Sequence, residues 1–216
     1  MDAPVTNPNF SRLFPCVCKL EEQRARSQAY LRTFSDLTAF KDQTFETFDA
    51  QVKGTREAFD AALSYARNPD NWLLFVGPYG CGKTHLAAAI ANYALHHKQM
   101  APIMAVVPDL LDYLRTTFGP DADSTYDQRF SAFRTADLLI LDDLGTENAT
   151  PWAREKLFQI INYRYNERAP TVVTTNDLDR IDGRIRSRLC DWQLSRRYYI
   201  DADDFREKFP RARRTR

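Results

Sequence analysis

Trp72-Leu73-Leu74-Phe75-Val76-Gly77-Pro78-Tyr79-Gly80-Cys81-Gly82-Lys83-Thr84 is the stretch from which the rest of the chain can be read. Its first five residues are wholly apolar, the mark of a short strand buried on both faces. Gly77 to Gly82 then forms a turn-forming loop, and an Ala-rich helix is expected from Lys83 to about Lys98. The loop matches G-x-x-x-x-G-K-[ST] at every fixed position. Glycines there let backbone N–H groups turn inward around a phosphate chain. The helix beginning near Lys83 aims its positive end at the same phosphates. Lys83 is expected to reach the β- and γ-phosphates, and the Thr84 hydroxyl to bind Mg²⁺. A purely structural turn would need neither Lys nor Thr at those places. The strand before the loop and the helix after it are the context that separates this motif from a chance match. The candidate nucleotide-binding set is therefore Gly77, Pro78, Tyr79, Gly80, Cys81, Gly82, Lys83, Thr84 and the adjoining His85.

Working outward, the pattern repeats. Apolar runs at Ile103 to Val107 and Leu138 to Leu141 read as further buried strands, Thr171 to Thr175 as a fourth strand, with a last one within Gln193 to Ile200. Helices are expected between them: Pro108 to Phe118, one before Ala136, and one from the Thr150 cap and Pro151 to about Arg168. That last helix carries Leu157, Phe158, Ile161 and Tyr165 as its expected buried stripe. Upstream, residues 19–40 are rich in helix formers, and Gly54 to Arg67 has apolar residues at helical spacing. Residues 1–18 hold Pro4, Pro8 and Pro15 and read as irregular. Alternation of strands and helices, each strand continuously apolar, predicts an α/β fold with a parallel sheet covered on both sides. Ligands of such sheets sit beyond the C-terminal ends of the strands. Every polar group singled out below falls just after a strand.

Leu138-Leu139-Ile140-Leu141-Asp142-Asp143 ends a strand in two carboxylates. Beside a P-loop, Asp142 is expected to hold Mg²⁺ and Asp143 to orient or deprotonate the attacking water. Two aspartates in isolation would be read as a turn. Val172-Val173-Thr174-Thr175-Asn176 places an amide after another strand, and Asn176 is a candidate for orienting that water against the γ-phosphate. The bland alternative is a cap or turn. Arg184-Ile185-Arg186-Ser187-Arg188 puts Arg184 and Arg188 on one helix face. Arg188 is the candidate for an arginine supplied to a neighbouring protomer's nucleotide, with Arg184 next. A basic surface helix remains open beside both.

The chain has 216 residues, 44% of them hydrophobic, enough for one sizeable core. No apolar run approaches the roughly 20 residues of a membrane span, and Met1 to Phe10 does not read as a signal peptide. The expectation is a cytoplasmic protein. Cys16, Cys18, Cys81 and Cys190 make no disulfide framework, and Cys81 lies inside the phosphate loop. Cys16-Val17-Cys18 is half a zinc-ribbon pattern without the other pair, so no zinc is expected. The formal net charge of +1 neither announces nor excludes nucleic acid. Local basic clusters at Arg184–Arg188, Arg196–Arg197 and Arg211–Arg216 allow either a solvated surface or an anionic partner.

Taken together, residues 77–87, Leu138 to Gly145, Trp152-Ala153-Arg154-Glu155 and Thr174-Thr175-Asn176 resemble the DnaC/IstB-like family of AAA+ ATPases, related to bacterial helicase loaders. The likeness covers about residues 45–206. Asn9 to Cys18 looks like the end of that family's N-terminal zinc module, without its first cysteine pair. The resemblance implies an AAA+ core whose five-stranded parallel sheet has the order 5-1-4-3-2, with no helical lid domain. It implies ATP and Mg²⁺ as cofactors and Arg188 as the arginine finger. It gives the Pro108 to Phe118 segment to single-stranded DNA and the N-terminal appendage to a replicative helicase of the DnaB kind. A transposase is the rival partner, and a nucleotide-switched DNA-binding module with little hydrolysis a further reading. A homo-oligomer assembled by ATP is expected. The organisation expected is an appendage at 1–44, an ATPase domain at 45–206 and a basic tail at 207–216.

Overall fold

The computed structural model describes residues 36–116, 125–146 and 150–208. Five strands form one sheet: β1 (Trp72–Val76), β2 (Pro102–Val106), β3 (Leu138–Asp142), β4 (Thr171–Thr175) and β5 (Ser195–Tyr199). All neighbours are parallel, in the order β2-β3-β4-β1-β5. Read from the other edge this is the expected 5-1-4-3-2. The helices are α1 (Arg56–Arg67), α2 (Lys83–His97), α3 (Val107–Thr116), α4 (Thr125–Thr135), α5 (Pro151–Asn166), α6 (Gly183–Leu189) and α7 (Phe205–Lys208). Past β5 the described residues form only α7, with no helical lid among them.

Alternation along each strand divides the core in two. Trp72, Leu74, Val76, Leu139, Leu141 and Val173 face one way, toward α3, α4, α5 and α6. Leu73, Phe75, Met104, Leu138, Ile140 and Val172 face the other, toward α1 and α2. This is why β1, β2 and β3 up to Leu141 are apolar without interruption, whereas the edge strand β5 (Ser195–Tyr199) is largely polar and exposed. The Ala-rich stripe of α2, with Ala87, Ala88, Ala91 and Ala94 all buried, lets that helix lie close on the sheet.

Three expectations shift. β2 begins at Pro102 and the next helix already at Val107. β2 pairs only with β3, so Pro102 opens an edge strand, where a missing N–H costs little. In the stretch 19–40, the part described is a short 3-10 turn at Asp36–Thr38, and residues 19–35 lie outside the described residues. On α5 the buried stripe is Ala153, Leu157, Ile160, Ile161 and Arg164, while Phe158 and Tyr165 are only partly buried.

Arg164 is the surprise, since its side chain is fully buried. Its guanidinium donates to the carbonyls of Arg134 (3.0 Å), Ala136 (2.9 Å) and Pro170 (2.6 Å) and to the Thr171 hydroxyl (2.9 Å). It thereby ties the C-terminal end of α4 to the chain leading into β3 and β4. Carbonyl oxygens at a helix end suit a cation. Burial lowers its pKa to about 10, which leaves it charged at neutral pH.

Candidate nucleotide site

The strand order builds the site. β4 lies between β1 and β3, so what ends β4 lies between the loop after β1 and the carboxylates after β3. Thr174 and Asn176 therefore stand between Lys83 and Asp142.

At the loop, Gly80 and Gly82 have φ of +71° and +100°, the left-handed region that glycine enters without strain. Space is equally limiting. A Cβ on Gly82 would lie 2.8 Å from the Phe48 ring, and one on Gly80 would collide with the Asp204 carboxylate. The Lys83 ammonium is buried. It donates to the carbonyls of Gly77 (2.9 Å) and Pro78 (2.8 Å) and to Asn176 Oδ1 (2.8 Å). The Asn176 amide nitrogen is buried and has no hydrogen-bond partner. Cys81 is buried with its sulfur 3.8 Å from Lys83 Nζ, and burial pushes its thiol pKa up. Tyr79 is exposed on the cleft rim.

On the other side, the Thr84 hydroxyl donates to the Asp142 carboxylate at 3.0 and 3.1 Å, and the Thr174 hydroxyl donates to it at 2.6 Å. Asp142 is almost fully buried, and that burial raises its pKa. Asp143 takes a left-handed φ of +57°. Its N–H donates to the Thr174 oxygen at 2.9 Å, and it lines the cleft with Asn176. Thr174 thus holds both aspartates at once. Its hydroxyl spends its proton on Asp142 and its lone pair on Asp143. Thr84 and Asp142 offer hard oxygens that face one another, which fits Mg²⁺, an ion that takes one or two protein oxygens and leaves the rest of its shell to water and phosphate. Among the described residues no group of three His, Cys, Asp or Glu makes an all-protein metal cage.

The cleft over this floor is about 760 Å³, large enough for a nucleotide. Its far wall comes from residues that the sequence reading did not single out. Phe48 stacks on Phe59 and meets His85 edge-on. His85 Nε2 donates to the Thr44 carbonyl at 2.9 Å, clipping the 44–48 turn to the start of α2, and burial lowers its pKa. Gln43, Asp203 and Arg206 complete the lining. The Phe205 N–H donates to the Gly80 carbonyl at 3.2 Å, so the segment after β5 straps across the loop. No local pattern marks these residues, because they reach the cleft only through chain crossings.

Arg184 and Arg188 do not line the cleft. Both guanidinium groups lie over the Phe158 ring, at 4.3 and 4.7 Å. Arg184 pairs with Glu155 and Asp182, and Arg186 with Asp179. Arg188 bonds the Asn162 oxygen at 2.7 and 3.0 Å and the Arg184 carbonyl at 2.8 Å. Those partners are neutral, so its charge is not neutralised by a carboxylate. Cys16, Cys18 and the 211–216 tail lie outside the described residues, and Cys190 is a free thiol. No described helix is long and apolar enough to cross a membrane.

Known proteins resemble this chain in sequence and fold. The chain is 32% identical over 161 residues to the chromosomal replication initiator protein DnaA of Neisseria gonorrhoeae, covering 71% of this chain and 30% of that one. It is 27% identical over 161 residues to the replicative helicase loader DnaC of Escherichia coli K12, covering 72% and 65%. The chain thus spans only about a third to two thirds of the length of these curated relatives. The crystal structure of the DnaC helicase loader superposes with a TM-score of 0.66 at 24% identity, over 75% of this chain and 98% of that one, which shows a shared fold. A family model described as IstB-like ATP binding protein matches residues 14–182. With a P-loop AAA+ sheet, a lysine and an asparagine facing each other across the loop, and that match over most of its length, the chain belongs to the IstB-like ATP-binding proteins of the DnaC/IstB group.

Proposed function

We propose that the chain is a helicase-loader-like ATPase that works in the cytoplasm during replication initiation. One observation carries this reading: two hydrogen-bonded groups, Lys83 with Asn176 and Thr84 with Asp142 and Thr174, stand side by side at one end of a nucleotide-sized cleft that Lys83, Thr84 and Asn176 line. Lys83 would exchange its two carbonyl partners for phosphate oxygens, a stronger charge-assisted contact. The unpartnered Asn176 amide would then donate to the γ-phosphate or to the attacking water. Thr84 and Asp142 would hold Mg²⁺, which offsets charge on the phosphates. Asp143, set by its left-handed turn at the cleft edge, would orient the water and take its proton. Arg206 brings a cation into the cleft from the strap.

ATP would bind between protomers of a homo-oligomer, with Arg188 offered to the next protomer's nucleotide. The neutral partners of Arg188 favour it over Arg184, whose charge is already met by two carboxylates. The assembly would grip single-stranded DNA through the α3 region and a replicative helicase through residues 1–44, with 45–206 as the ATPase domain and 207–216 as a basic tail. The family description favours one second reading, the same engine serving a transposase. Phosphate release by the wild-type chain, Lys83→Ala and Asp143→Asn tests the enzyme. The wild type should turn over slowly and both variants at least about 100-fold more slowly. Equal rates in all three would remove the ATPase reading.

A further inference from the structure

Among the buried side-chain atoms that lack a hydrogen-bond partner in the described residues, two belong to residues of the nucleotide cleft. One is the donor nitrogen of Asn176, at the phosphate end. The other is the acceptor oxygen of Gln43. Shutting an amide oxygen away from water without a donor costs free energy, so a partner for it is expected to come from outside the chain.

The place of Gln43 beside α2 is fixed by hydrogen bonds on either side. Its neighbour Thr44 is clipped to His85, one residue past the phosphate-binding Thr84. Its own carbonyl accepts from Asn92 Nδ2 at 2.9 Å, and Asn92 also holds the Phe40 carbonyl at 3.0 Å. Asn92 lies about 13 Å beyond Lys83 at the rise of an α-helix. Gln43 thus lines the cleft on the side of α2 that lies away from the phosphate loop, and Phe48 and His85 line the same cleft. The backbone at Gln43 is pinned, while its side chain keeps free torsions. A turn of the terminal carboxamide swings the oxygen toward the cleft at little cost.

We propose that Gln43 selects the base: its carboxamide accepts a hydrogen bond from the 6-amino group of adenine. A glutamine carboxamide is the side chain that pairs with an adenine edge, accepting from N6 and donating to a ring nitrogen. Guanine presents a carbonyl oxygen at the same position, so an acceptor would face an acceptor. A site that hydrogen-bonds one group rejects the analogue lacking it, because its own polar atom is then left unpaired. The inference rests on the nucleotide-binding reading above and adds the base to it.

The test uses the full chain, Gln43→Met and Gln43→Glu, with ATP, GTP and purine riboside triphosphate competing against a ribose-labelled fluorescent ATP. The wild type should bind ATP about tenfold or more tighter than purine riboside triphosphate, which lacks the amino group. Gln43→Met keeps the length of the side chain and should bring ATP close to the level of that analogue, which keeps the ring nitrogens but not the amino group and should therefore lose less than ATP does; an unchanged far-UV spectrum and Tm serve as the control for folding. Gln43→Glu keeps an acceptor but loses the donor, and should shift preference toward GTP, whose N1 and N2 hydrogens suit a carboxylate. An unchanged ratio of ATP to purine riboside triphosphate in both variants would overturn the assignment while leaving the phosphate site standing. A wild-type chain that binds none of the three would overturn the nucleotide reading and the role of Gln43 with it.

Discussion

The phosphate end of the cleft and the arginine pair on α6 are both clusters of charge, yet they are built in opposite ways. In the cleft, charged groups are buried and satisfied by neutral polar groups packed around them: Lys83 by two carbonyls and the Asn176 amide, Asp142 by two hydroxyls. On α6, Arg184 and Arg188 lie on the surface over one aromatic ring, and Arg188 is held by an amide and a carbonyl. The cleft groups need only a ligand to change partners. Arg188 is weakly engaged in its own chain, and a phosphate from outside would outcompete a neutral amide for it. Under the proposed function, one region would be complete in a single protomer and the other would serve a neighbour.

The sharpest way to break that contrast is Arg188→Ala. Hydrolysis by the assembled protein should fall about 10³-fold, while ATP affinity of the dilute protomer stays within about twofold. Mixing Arg188→Ala with Lys83→Ala should restore part of the rate, since each then supplies what the other lacks. No recovery in a phosphate-release assay would place the arginine's action in its own protomer. Arg184→Ala sharpens the contrast at smaller scale. Its carboxylate partners already neutralise it, so the same assay should show a drop of roughly tenfold or less. A loss equal to that of Arg188→Ala would exchange the roles.

The smallest effect concerns stability. Burial raises the pKa of Asp142, so the folded chain holds that proton more tightly than the unfolded chain does. The contribution of this group to stability is therefore greatest below its unfolded pKa and is lost as pH rises through the folded value. Asp142→Asn removes the buried charge, so its Tm at neutral pH should exceed that of the wild type, measured without nucleotide. The gap should narrow as pH falls. A gap that widens toward acid would mean that the two hydroxyls outweigh burial.

Much of this architecture was legible in the chain because local signals agreed with global ones. β1 appears at the residues where an unbroken apolar run marks it, β4 where a run of β-branched Thr and Val does, and Gly80 and Gly82 stand where φ turns positive. Asp142 and Asn176 were readable because each stands at the C-terminal end of a strand, and Thr84 because it closes the phosphate-loop motif. Legibility failed where a side chain answers to tertiary partners. Arg164 occupies the helical position of an apolar residue, and nothing in a period of 3.6 tells a clamp on four carbonyls and a hydroxyl from a solvated arginine. Phe48, Gln43 and Arg206 enter the cleft from segments far off in the chain, and Thr174 was noted only as a neighbour of Asn176.

The strap that crosses the phosphate loop offers a handle for genetics. Position 80 tolerates neither the backbone angle nor the space that any larger residue needs, and the atom it would strike belongs to Asp204. Alanine there would push the carboxylate aside, lift the strap and strain the phosphate loop at the same point, while leaving Lys83, Thr84 and both aspartates in place. The result would be a conditional allele, sound in the cold and failing with warmth, made by a single added methyl group.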